Sequence, residues 1–180
     1  LASGNYSFSL VDGTLTVIKA TLTVTADNKS KVYGAANPPL TASYSGFVND
    51  ETLATSGVTG SPSLSTLADE TSSVAGSPYP ITVSVGTLAA DNYSFAFVNG
   101  ALTVTPYALT VAPNDATRSY GQTNPVFSGT LGGVQNGDNV TATYASAATT
   151  NSPAGLYAIV PRLVDPDGKL TNYTVFATNG

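Results

Sequence analysis

Residues 92–105 read Asn92-Tyr93-Ser94-Phe95-Ala96-Phe97-Val98-Asn99-Gly100-Ala101-Leu102-Thr103-Val104-Thr105. Apolar side chains recur at every second position on both sides of Asn99-Gly100: Tyr93, Phe95 and Phe97 before it, Leu102 and Val104 after it. A period of two belongs to a strand with one buried face. Asn-Gly between two such runs predicts a hairpin closed by a type I′ turn, because that turn needs positive φ at both central residues. Folding the chain there sets Phe97 opposite Leu102 and Phe95 opposite Val104 on one face, so pattern and register agree.

The same stretch occurs earlier in the chain. Residues 5–34 and 92–121 are identical at 14 of 30 positions, at an offset of 87. Asp12-Gly13 takes the place of Asn99-Gly100 and predicts a second hairpin, Leu10 with Leu15 and Phe8 with Val17, which puts Tyr6 and Phe8 in a core. The correspondence runs on: Asn37-Pro38 matches Asn124-Pro125, and Gly46-Phe47-Val48-Asn49 matches Gly133-Val134-Gln135-Asn136. A third copy opens at Asn172-Tyr173-Thr174, 80 residues beyond Asn92, so the second copy is shorter by seven, between Glu51/Asp138 and Gly76/Gly155. Self-similarity of this kind marks tandem modules. The expected division is residues 1–18 as the tail of a preceding repeat, 19–106 as one module and 107–180 as a second, with short junctions at Lys19-Ala20 and Pro106-Tyr107. In this phase the second module lacks the strand equivalent to 102–105, and the orphan run Thr14-Leu15-Thr16-Val17 of another molecule is a candidate to fill the open edge. A different phase, 1–91 and 92–180, leaves nothing missing and is slightly preferred. The chain opens on Leu1-Ala2-Ser3-Gly4, inside a repeat, and so reads as a piece of something longer.

Composition narrows the chemistry. Only 9% of residues are charged, against about 25% in a typical soluble domain. Polar surface must come instead from Thr and Ser, which number 26 and 19. Thr, Val, Tyr and Phe favour strands, and Gly and Pro punctuate turns. His, Cys, Met and Trp are absent, which removes disulfides, thiolate nucleophiles, Cys/His zinc sites, Ser-His triads and histidine switches. A net charge of −5 argues against nucleic acid or an anionic membrane as partner. No run approaches the roughly 18 apolar residues of a membrane span. Cysteine-free, Thr-rich strands suit a bacterial extracellular protein better than an animal one, whose small secreted domains use disulfides. One helical turn is expected at residues 49–56, and no longer helix anywhere.

The set Lys31-Val32-Tyr33-Gly34-Ala35-Ala36-Asn37-Pro38-Pro39, Tyr44-Ser45-Gly46-Phe47-Val48-Asn49, Ala75-Gly76-Ser77-Pro78-Tyr79-Pro80-Ile81-Thr82-Val83 and 92–105 resembles the MBG domain in its Tyr-Gly-containing type. The resemblance covers residues 20–105 as a whole copy and 108–180 as a copy without its last strand. Ser128 to Gly133 and Val160-Pro161-Arg162 depart from the pattern. It implies an all-β chain of two tandem β-grasp-like or sandwich-like modules in an elongated array, from a large bacterial surface or secreted adhesin-like protein, with no catalytic residues. Partners are then neighbouring repeats of the same chain.

Candidate sites are few. The acid pairs Asp50-Glu51 and Asp69-Glu70 read as solvated turn charges rather than a hydrolytic pair. Asp165 and Asp167, in Asp165-Pro166-Asp167-Gly168, are the best candidates for calcium, as is the similar Asn136-Gly137-Asp138-Asn139, although neither loop has the further Glu of an EF-hand. No other cofactor is expected. Tyr44, Tyr79 and Tyr144 are candidates for contact with a host glycan or protein. Tyr33 and Tyr120, each beside a glycine, read as packing or inter-module contacts. Lys19, Lys31 and Lys169 are candidates for an isopeptide crosslink, which the second copy does not share. The reading is a non-catalytic spacer of a bacterial adhesin that carries a functional tip away from the cell; the rival is a module that itself binds host glycans or proteins.

Overall fold

The computed structural model describes residues 4–178. The chain is all-β, with no α-helix among the described residues. The first module holds seven strands: β1 (Ala20–Ala26), β2 (Lys29–Val32), β3 (Ala42–Ser45), β4 (Ser63–Ser65), β5 (Tyr79–Ser84), β6 (Tyr93–Val98) and β7 (Gly100–Thr105). They form two sheets, ordered β3-β1-β6 and β2-β7-β5-β4. Threonine alternation explains β1: Leu22, Val24 and Ala26 point inward and are buried, with threonines between them. Val24 and Ala26 meet Ile81, Val83 and Leu102 of the other sheet in one core, closed by Ala68 and Leu88 from the connections.

The second module repeats this plan with β8 (Tyr107–Pro113), β9 (Gly129–Gly132), β10 (Thr141–Ser146), β11 (Ile159–Val164) and β12 (Tyr173–Ala177). Its sheets are β12-β8-β9 and β10-β11. The register carries over residue by residue. Thr23 faces Ser45 in the first module and Thr110 faces Gly132 in the second. Ala20 is paired with Tyr93, and Tyr107 with Tyr173, both in parallel ladders. Leu109, Val111 and Ile159 are buried where Leu22, Val24 and Ile81 are. A short 3₁₀ turn at Lys169–Asn172 leads into β12.

Both expected hairpins are absent. β6 and β7 follow one another with only Asn99 between them, yet they lie in different sheets: β6 runs parallel to β1, and β7 lies between β2 and β5. Phe97 therefore faces Val24 across the ladder, not Leu102. Neither Asn99 nor Gly100 has positive φ. The Asn99 carboxamide accepts the Val83 N–H at 3.2 Å, and a side chain at Gly100 would collide with the Ala26 carbonyl. The dipeptide is a crossing between sheets, where small size and a side-chain acceptor matter more than turn chirality. Residues 4–19 form no strand, and Tyr6 and Phe8 are exposed rather than in a core. Phe97, on the expected core face, is also exposed, while Tyr93 is buried. At residues 49–56 the backbone makes a turn closed by Ser56 N–H on the Thr52 carbonyl, with Asn49 and Asp50 at positive φ. The sheets of the first module pair β1 with β6 and β2 with β7, across residue 91. Asn179-Gly180, where the third copy stops, lies outside the described residues.

Candidate functional site

A single residue, Pro106, separates the last strand of the first module from the first strand of the second. Proline fixes its own φ and has no N–H to donate, so it ends one ladder and starts the next without slack. The modules then meet over a shared apolar cluster: Tyr33 and Val104 from the first, Leu109, Val140 and Tyr173 from the second. The contact is head to tail. The first module offers the ends of β2 and β7; the second offers the starts of β8 and β12 together with the loop 134–140.

Polar groups inside this joint are paired. The Tyr33 hydroxyl donates to Asp138 Oδ2 at 3.0 Å, and the Tyr173 hydroxyl donates to the same oxygen at 2.6 Å. The two rings meet edge to face with centroids 5.6 Å apart, a favoured aromatic geometry. Tyr173 also accepts the Gln135 N–H at 2.9 Å. Burial, and then its bond to the Asp138 carboxylate, pushes the Tyr173 phenol well above its ordinary range. Around this centre Asn172, itself buried, accepts the Val74 N–H at 2.9 Å. The Asn136 amide donates to the Glu70 carbonyl at 3.0 Å. Gly34 has φ +83°, and a Cβ there would stand 2.8 Å from Gln135 Cβ, so glycine is required both by the turn and by the approach of the second module.

Half of this centre recurs inside the first module. The Tyr93 hydroxyl donates to Glu51 Oε2 at 2.6 Å and accepts the Val48 N–H at 3.1 Å. That bond to Glu51 raises the Tyr93 phenol above its ordinary range. Here the edge-on ring against Tyr93 is its own Phe47, at 5.9 Å. In the second module Val134 replaces Phe47, and Tyr33 supplies the ring from the neighbouring module.

Glu51 is thus a hydrogen-bonded partner of a buried tyrosine and not a solvated turn charge. The aligned pairs Glu51/Asp138 and Tyr93/Tyr173 carried the signal, but nothing in the sequence showed that they meet. Asp69 fits its turn reading: it accepts from the N–H and hydroxyl of Thr71 at 2.9 and 2.8 Å, which holds its carboxyl below the usual range. Asp165 spends both oxygens on the Lys169 and Leu170 N–H groups at 2.8 Å. In the other proposed calcium loop, Asp138 holds the two tyrosines. Among the described residues no group of three or more acidic side chains is placed to hold a metal ion.

Tyr44, Tyr79 and Tyr144 are half-buried. Tyr44 packs on the first core, and burial raises its phenol. Tyr79 touches both cores and donates to the Ser73 carbonyl at 2.9 Å, while Tyr144 donates to the Thr130 carbonyl at 3.4 Å. Lys31 is buried and donates to the Ala35 carbonyl at 3.0 Å and to the Asp69 carbonyl; Lys19 donates to the Ala90 carbonyl at 2.9 Å. Among the described residues no helix is long and apolar enough to cross a membrane.

No curated protein and no solved structure matches the chain. A family model does, twice in succession: the MBG domain (YGX type) matches residues 22–103 and again 109–180. Each match contains one Tyr-Gly pair, Tyr33-Gly34 or Tyr120-Gly121, and the first of these forms the joint. With two matches spanning most of its length, the chain belongs to the MBG domain family of the YGX type and is built of two tandem repeats of it.

Proposed function

We propose that this chain is a non-catalytic spacer of a bacterial surface or secreted adhesin, whose repeats hold a functional tip away from the cell. The observation that carries this reading is the joint. One proline of connection, a shared apolar cluster and a carboxylate bound by a tyrosine from each module restrict movement of one repeat against the next. A spacer needs that property, since flexible linkage would let the array coil up. Polar surface made mostly of Ser and Thr also suits a spacer, because few of its interactions are screened by salt. Family membership supports the repeat-module part of this reading.

Small-angle scattering of the 180-residue chain tests it. The expected result is a pair-distance distribution of two modules end to end, unchanged between low and high salt. A single symmetric peak of a compact globule would overturn the proposal.

A further inference from the structure

Gly46-Phe47-Val48 of the first module aligns with Gly133-Val134-Gln135 of the second. Both glycines have positive φ, +99° and +94°, and both lie against the first strand of their module, where a Cβ would meet the Thr21 or the Ala108 carbonyl. The backbone therefore delivers residues 47 and 134 to equivalent places. What differs is the side chain: a phenyl ring in one module, a valine in the other.

Both places lie beside the same tyrosine. Tyr93 and Tyr173 each begin a strand paired in parallel with the first strand of their module. Each hydroxyl donates to a carboxylate at 2.6 Å, Glu51 or Asp138, and accepts a backbone N–H, from Val48 at 3.1 Å or from Gln135 at 2.9 Å. Against each ring stands another, edge-on. On Tyr93 it is Phe47, with centroids 5.9 Å apart and planes at 79°. On Tyr173 it is Tyr33, at 5.6 Å and 80°. Phe47 belongs to the same module as its tyrosine, whereas Tyr33 belongs to the module before. Val134 packs on the cluster that holds Tyr33 and Tyr173, but it has no ring to offer.

We propose that residue 134 decides whether the second module accepts the first. Valine leaves the edge-on position against Tyr173 open to the Tyr-Gly end of the neighbouring repeat. Phenylalanine, as in the first module, fills that position from within and closes it. Two rings do not share the position, because an interior at crystal-like packing density has no spare volume for the second. A repeat with valine here takes its neighbour in a fixed orientation, and one with phenylalanine does not take it through this joint. The inference rests on the joint that carries the spacer reading and names the feature that fits one repeat to follow another.

Val134→Phe in the whole chain tests it, alone and combined with Tyr33→Ala. With Tyr33 present the added ring competes with it. Amide residual dipolar couplings of residues 20–105 and 107–178 then need two alignment tensors where the unmodified chain needs one, while the second module keeps its dispersed spectrum. With Tyr33 removed the added ring fills the vacated position, and Val134→Phe raises the urea midpoint of the second module by about 1 M over Tyr33→Ala alone. This reversal also covers a Val134→Phe chain that overpacks and fails to fold, since the double variant then recovers the fold. A residue that serves only its own module would lower the midpoint with or without Tyr33. That result overturns the proposal, as does a Val134→Phe chain that keeps one shared tensor; either leaves the joint standing. Two tensors in the unmodified chain would overturn the joint, and with it both the spacer reading and this proposal.

Discussion

Truncation of Tyr33 to alanine separates a contact within a module from one between modules, because the chain carries its own control. Tyr33 and Tyr120 occupy the same place in the repeat and precede the same glycine, yet Tyr33 is 1% exposed and Tyr120 is 70% exposed. The difference is the neighbour: Tyr33 packs on Leu109, Val140 and Tyr173 of the following module. Emptying a buried aromatic site costs about 3–5 kcal/mol, and the bond to the Asp138 carboxylate is a further strong interaction, about 1.5–3 kcal/mol for a charged partner. These terms overlap, so about 4 kcal/mol is the working figure for Tyr33→Ala, and about 1–2 kcal/mol for Tyr33→Phe, which keeps the ring and loses the bond. Tyr120→Ala, at an exposed site, should stay within about 0.5 kcal/mol. With a urea slope of about 1–2 kcal/mol/M for a module of this size, Tyr33→Ala moves the unfolding midpoint by about 2 M or more. The assay is urea titration followed by amide resonances, read separately for residues 20–105 and 107–178, at low micromolar protein. Midpoints of the second module falling in Tyr33→Ala and unmoved in Tyr120→Ala are the expected result. Equal effects of the two substitutions would show instead that the Tyr-Gly pair serves its own module and that Tyr33 does not hold the joint.

Three further outcomes follow from the geometry. Asp138→Ala leaves the Tyr33 and Tyr173 hydroxyls without their shared acceptor and should destabilise the joint by about 2–4 kcal/mol, whereas Asp138→Asn, which keeps an acceptor oxygen, should cost clearly less by the same titration. Tyrosine absorbance titration should show Tyr173 and Tyr93 ionising above the ordinary phenol value of about 10. A phenol whose pKa is raised on folding adds stability that is complete below the unfolded value of about 10 and is lost as pH rises through the folded value, so unfolding midpoints should fall above pH 10 and Tyr173→Phe should flatten that fall. Gly100→Ala drives a Cβ into the Ala26 carbonyl and should lower the first module's stability by about 1–3 kcal/mol while leaving the second module's amide spectrum in place.

The repeat and the strands were legible in the sequence because both depend on local pattern. Alternation located the buried faces of β1, β7 and β8, and Tyr93 with them. Partner choice was not legible. Alternation says which side chains point inward but not which sheet receives the strand, so Asn99-Gly100 read as a hairpin turn when it is a crossing between sheets. Residues 5–18 carry the same pattern as 92–105, yet form no strand: a strand needs neighbours, and β1, β2 and β5 provide them only to β6 and β7. The joint was half legible. Tyr33 and Tyr120 stood out beside their glycines as packing or inter-module residues, but identical motifs cannot tell that one is covered by a following module and the other exposed. Asp138 was read as a turn or calcium residue because its partners, Tyr33 and Tyr173, lie 105 and 35 residues away.

The joint around Asp138 holds consecutive repeats in one orientation. Residual dipolar couplings of the amides in the two modules measure that orientation directly. One alignment tensor should fit residues 20–105 and 107–178 together, with two tensors of reduced, unequal magnitude in Tyr33→Ala. Two independent tensors in the unmodified chain would contradict it.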